Sequence, residues 1–160
     1  MPAFRYAGIP SDIVDAARQS MRSPQYGHPA HREVASGYGP CRHCLRTFQV
    51  GQEERLLFTY QPILEPGGLP APGPVFVHAG PCARYEREVF PPDLAALPLV
   101  VEGYRTGGTL VVQERAGDAP PEVVLARVFE TPGVDYAHLR NAEAGCFMAR
   151  VERSVAQSRC

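Results

Sequence analysis

The order of apolar and polar positions changes period several times along the chain, and each change predicts an element. Residues 4–9, Phe4-Arg5-Tyr6-Ala7-Gly8-Ile9, predict a short strand. Ile13, Val14, Ala16 and Ala17 then recur at helical spacing behind Pro10-Ser11-Asp12. That tripeptide offers a Ser or Asp cap, so a helix is predicted to about Met21. Residues 22–40 lose all periodicity and carry Ser23-Pro24, His28-Pro29 and several glycines, which predicts a long, mobile loop. Leu56-Leu57-Phe58-Thr59-Tyr60 and Val75-Phe76-Val77-His78 predict strands, separated by a Pro/Gly-rich connection over residues 62–74. The stretch from Tyr85 to Val89 predicts one helical turn before Phe90-Pro91-Pro92.

Two β-rich runs, residues 99–104 and 109–112, flank Gly107-Gly108, a hairpin signal. Pro120-Pro121-Glu122 opens a second helix, which Pro132-Gly133 closes after about Glu130. Residues 134–139 and 146–151 predict a second hairpin that turns through Asn141 to Gly145. Neighbouring strands with two helices make the expected fold α+β, mostly antiparallel sheet, in a single domain over residues 1–160. Residues 154–160 are expected to be a frayed tail.

Composition narrows the function classes. With 160 residues and 44% apolar content, the chain has material for one globular core. A formal net charge of -1 gives no electrostatic footprint for nucleic acid or an anionic membrane. All 16 basic residues are arginine, spread along the chain, which reads as the coding bias of a GC-rich genome. No apolar run is long enough to cross a bilayer, and the N-terminus lacks the basic-then-apolar order of a signal peptide. A cytoplasmic location is therefore expected, and the 5 cysteines are read as thiols or metal ligands before disulfides. Cys160 is expected to be an inert terminal thiol. Phosphate-binding and dinucleotide fingerprints are absent.

The chemistry concentrates in Cys41-Arg42-His43-Cys44, a C-x-x-C, and His78-Ala79-Gly80-Pro81-Cys82, an H-x-x-x-C. Zinc takes thiolate and imidazole in a four-coordinate shell; one knuckle supplies two sulfurs and an intervening hairpin returns the second pair. Cys41, Cys44, His78 and Cys82 are thus the candidate zinc ligands, with His43 as a substitute for one of them. The same residues also read as buried thiols beside a hydrogen-bonded core histidine, or as a redox pair. Over residues 41–82 the order of knuckle, Val50, Gly51, Arg55, hairpin and returning His and Cys resembles a treble-clef or PARP-type zinc finger. Here the spacing is His-x-x-x-Cys and the intervening stretch is longer. A second polar group, His138, Arg140, Asn141 and Cys146, is expected at a strand end and in its turn, where it would form a pocket wall with His78 and Cys82. A cysteine with His and Asn nearby is the inventory of a nucleophile, base and orienter, while strand alternation and turn geometry explain the same residues without catalysis.

Taken in order, Pro40-Cys41-Arg42-His43-Cys44-Leu45, then Gly73 to Cys82 with Tyr85, then His138-Leu139-Arg140-Asn141, then Gly145-Cys146-Phe147 with Arg153, resemble the bacterial family called domain of unknown function 1203. The resemblance runs from about Phe4 to Arg153 and implies a small bacterial cytosolic protein of one domain. It implies no activity. Three functions stay open: a zinc-supported binding or interaction domain, a Cys/His-dependent hydrolase or thiol-redox enzyme, and a metal-free domain that binds a small anion or a protein through Arg140.

Overall fold

The computed structural model describes residues 3–37 and 39–154. In order these form β1 (Phe4–Ala7), α1 (Ser11–Ser20), β2 (His31–Val34), β3 (Glu54–Tyr60), β4 (Gly73–His78), β5 (Glu86–Arg87), a 3-10 turn (Pro92–Leu94), β6 (Leu99–Arg105), β7 (Thr109–Arg115), α2 (Pro121–Glu130), β8 (Tyr136–Asn141) and β9 (Phe147–Arg153). Six strands make a sheet in the order β5-β1-β9-β8-β6-β7, and three make a second sheet, β2-β3-β4. Every pairing is antiparallel. The domain is α+β with two helices, as the periodicity predicts.

Strand alternation gives the large sheet two different faces. Val101, Leu139, Ala137, Ala149 and Val151 bury against Val124, Leu125, Val128 and Phe129 of α2, and this is the larger apolar core. Gly103 lies directly under α2, where a Cβ would come within 2.8 Å of a Val128 methyl. The opposite face is aromatic and polar. It presents Glu102, Tyr104, Tyr136, His138 and Arg150, and Tyr60 of β3 packs on Phe147 of β9 across the gap. A second core gathers Ile9, Val14 and Ala17 with Leu56, Phe58, Val75 and Val77 of the small sheet, and Cys41 and Cys44 belong to it.

Several local expectations need correction. Helix α1 starts behind Pro10, which stands at the cap position and has no side-chain acceptor, and the Ser11 hydroxyl, now inside the first turn, is engaged by the His43 ring. Residues 22–40 are not a featureless loop: His31–Val34 pairs with β3, from His31 opposite Leu57 to Val34 opposite Glu54. Its side chains are nearly all exposed, so no apolar alternation marks it. The expected turn of helix after Tyr85 is the strand β5, paired with Tyr6 and Ala7. Five residues before a Pro-Pro stop are too few to sustain a helix, whereas pairing satisfies the open edge of β1. Ser154 is not frayed: its N–H donates to Ala3 and its hydroxyl to Glu88, and it is buried. The rest of the expected tail, with Cys160, lies outside the described residues. The hairpins are found at their glycines: Gly107 and Gly108 have φ of 100° and 86°, open to a residue without Cβ.

Candidate metal centre

The first pair of candidate ligands comes from a tight knuckle between β2 and β3. Cys41 N–H donates to the Arg46 carbonyl and Leu45 N–H to the Cys41 carbonyl, so the loop closes on itself. The reversal needs a left-handed residue, and Leu45 takes that role at φ 61°. The knuckle is tied down from below: Ile9 N–H donates to the Arg42 carbonyl, and Gly8 passes so near that a Cβ would sit 2.2 Å from the His43 carbonyl oxygen. The second pair arrives at the end of β4, where His78 opposes Arg55 in the sheet and the chain then turns to Cys82.

Cys41, Cys44, His78 and Cys82 converge there, with all four ligand atoms within 4.8 Å of one another. The Cys41 and Cys82 sulfurs are 3.9 Å apart, and the Cys44 sulfur is 3.4 Å from His78 Nδ1. Zinc at the usual Zn–S and Zn–N lengths gives tetrahedral edges of roughly 3.8 Å between sulfurs and roughly 3.6 Å between sulfur and nitrogen. The donor set therefore fits a four-coordinate zinc ion. Cys41, Cys44 and His78 are buried and Cys82 is half-buried.

Surrounding groups orient the ligands. His78 turns Nδ1 toward the cluster, and its Nε2 lies 2.9 Å from Glu53 Oε2, the carboxylate–imidazole contact that fixes the tautomer of a metal-bound histidine. The backbone N–H groups of His43 and His78 donate to the Cys41 sulfur at 3.4 and 3.3 Å. Arg18 of α1 donates to the Cys82 sulfur at 3.2 Å and to the His78 carbonyl at 3.1 Å. His43 lies beside the four rather than among them. Its Nδ1 lies 3.1 Å from the Cys82 sulfur and its Nε2 lies 3.0 Å from Ser11 Oγ, so with a thiolate at Cys82 the ring donates from Nδ1 and accepts from Ser11.

Three thiols and an imidazole this close cannot ionise independently. Burial pushes the Cys41 thiol up, while hydrogen bonds from Cys41 and then Cys44 pull Cys82 far below the ordinary thiol range. Hydrogen bonds to Cys44 and Cys82 raise His78 to about 10, against the effect of burial. Cys41, Cys44, Cys82 and His78 would hold a divalent cation, whose charge would offset that of the thiolates.

The C-terminal group does not join this cluster. His138 is fully buried on β8 among Tyr104, Tyr136 and Phe147, with ring centroids 4.8, 5.4 and 5.0 Å away. Among the described residues neither of its ring nitrogens has a hydrogen-bond partner, and burial lowers it to about 3. Arg140 is ion-paired with Glu102 and donates to the Gly145 carbonyl, so it is not a free anion-binding group. Asn141 Oδ1 accepts from the N–H groups of Glu143 and Ala144 at 2.8 Å each and builds the turn. Cys146 lines a separate cavity of about 210 Å³ with Arg42 and Asn141. The Cys, His and Asn inventory is therefore not assembled into a triad. Tyr85 does lie beside the Cys/His cluster, its N–H donating to the His43 carbonyl at 2.9 Å and its hydroxyl to the Val89 carbonyl.

Sequence reading misses Glu53, Arg18 and Ser11, because no spacing rule connects them to the knuckle. It also misses Arg42, whose buried guanidinium donates to the Phe147 carbonyl at 2.7 Å and ties the knuckle to β9. Among the described residues no helix is long and apolar enough to cross a membrane. No curated protein and no solved structure matches the chain. One family profile does, over residues 38–153, a span that holds all four candidate ligands, Glu53, Arg42 and both C-terminal strands. The chain belongs to that family, described as protein of unknown function (DUF1203).

Proposed function

We propose that the protein is a binding domain whose small sheet and knuckle are held by one structural zinc ion on Cys41, Cys44, His78 and Cys82. The observation that carries this reading is the spacing of the four donor atoms, 3.9 Å between two sulfurs and 3.4 Å between sulfur and Nδ1, at the edge lengths of a zinc tetrahedron. Four protein donors close the shell and leave no position for substrate, which sets the reading apart from an enzyme working on the same cluster. The thiols stay available as ligands in a reducing compartment, so a cytoplasmic location belongs to the reading.

Elemental analysis of protein purified without chelators tests it, with about one zinc per chain expected. Chelation should then lower the melting temperature, because metal binding free energy is folding free energy here. A folded protein with less than about a tenth of a zinc per chain, unchanged by added zinc, overturns the proposal.

A further inference from the structure

A cavity of about 420 Å³ opens beside the knuckle, between it and β5. Its wall includes the ligand Cys44, and three arginines, Arg46, Arg84 and Arg87, line it with one carboxylate, Asp93. That carboxylate is occupied: Asp93 Oδ2 accepts from Thr47 N–H at 2.8 Å and from its hydroxyl at 3.2 Å. Arg84 is held in place by its Nε bond to the Gly8 carbonyl at 3.0 Å and lies 3.5 Å from Glu86. Among the described residues no carboxylate lies within ion-pair distance of Arg46 or Arg87, and of these two Arg46 is engaged with the Cys44 sulfur, which raises its pKa. Leu45, Tyr85 and Pro92 supply apolar wall beside the charges. The volume falls in the range of small-molecule sites.

We infer that this cavity is the ligand site of the domain and takes a small organic anion, a carboxylate or phosphate carried on an apolar or aromatic body. Guanidinium groups bind such oxyanions in bidentate fashion, and a partly enclosed wall strengthens the contact. The inference deepens the zinc reading and rests on it in one respect. Arg46 follows Leu45 directly, and the left-handed turn at Leu45 that aims it is set by the knuckle.

The test uses the full-length, zinc-loaded protein and three probes: phenyl phosphate, benzoate and inorganic phosphate, titrated calorimetrically at low salt. Phenyl phosphate or benzoate should bind with a dissociation constant on the order of 1 mM or tighter, and more tightly than inorganic phosphate. Phenyl phosphate ahead of benzoate assigns a phosphate ligand, and the reverse order a carboxylate. Arg87→Gln should weaken binding about tenfold or more while zinc content and melting temperature stay at the wild-type values, and Arg46→Gln should weaken it as far. No binding of any probe by the folded protein, or binding untouched by both substitutions, overturns the inference. Arginine-dependent binding by a protein that folds without metal would remove the zinc reading and leave the anion site standing.

Discussion

Replacing His138 with leucine should flatten the acid limb of the stability curve. The imidazole is fully buried between the sheets, and its neighbours are the rings of Tyr104, Tyr136 and Phe147. Burial, with Arg150 and Arg140 nearby, lowers its pKa from 6.5 to about 3. Glu102 lies opposite it on β6, engaged with Arg140 and with the Tyr104 hydroxyl, and Arg150 opposite it on β9 is engaged with Glu65. The sign follows from proton counts. As pH falls below 6.5 the unfolded chain gains a proton at His138 that the folded chain refuses until about 3, so stability is lost across that window. One pKa unit is worth about 1.4 kcal/mol, which gives a loss of roughly 2 kcal/mol at pH 5 relative to neutral pH. Urea denaturation of wild type and His138→Leu at several pH values between neutrality and about pH 5 reads this directly. Zinc ligands titrate in both proteins, so their contribution cancels in the difference, and any fixed packing cost of the leucine is independent of pH. The stability gap between the two proteins should shift by roughly 2 kcal/mol in favour of the variant over that range. Parallel pH profiles would refute the reasoning, as would an imidazole found to titrate near 6.5 in the folded protein.

The carboxylate behind the metal ligand and the glycine beneath the knuckle give two further tests. Glu53→Gln keeps an acceptor near His78 Nε2 but removes the charge that holds the imidazole, so zinc affinity in chelator competition should fall about 10–100-fold with the fold intact; equal affinity would show that the contact is incidental. Gly8→Ala puts a Cβ 2.2 Å from the His43 carbonyl oxygen and 2.8 Å from that of Arg42, both backbone atoms that cannot swing away. Chemical denaturation should show a cost of about 2–3 kcal/mol or more, together with weaker zinc retention, and a neutral substitution would mean the two segments are less closely packed than described.

What could be read from the sequence divides by range of interaction. The helices, the glycine-turned hairpin of β6 and β7, and the Asn141 turn are local patterns in which period, turn residue and stop signal agree. The ligand pairs are local too, since C-x-x-C and H-x-x-x-C each place two donors on one turn, and the hairpin of β3 and β4 brings them together. Strands β2 and β5 have no such signature. Their side chains are mostly exposed, and they are strands only because Leu57 or Tyr6 offers backbone partners from elsewhere in the chain. Arg140 shows the same limit in a functional residue. It reads as a free cation because nothing local reveals that strand pairing will set Glu102 diagonally across from it. Arg46 and Arg87, two of the arginines without a carboxylate partner, stand instead where the knuckle and β5 meet. One of those elements is legible through its cysteines and the other is visible only after folding. A cavity built between them has no contiguous motif, and the only part of it the sequence announces is the metal site at its back wall.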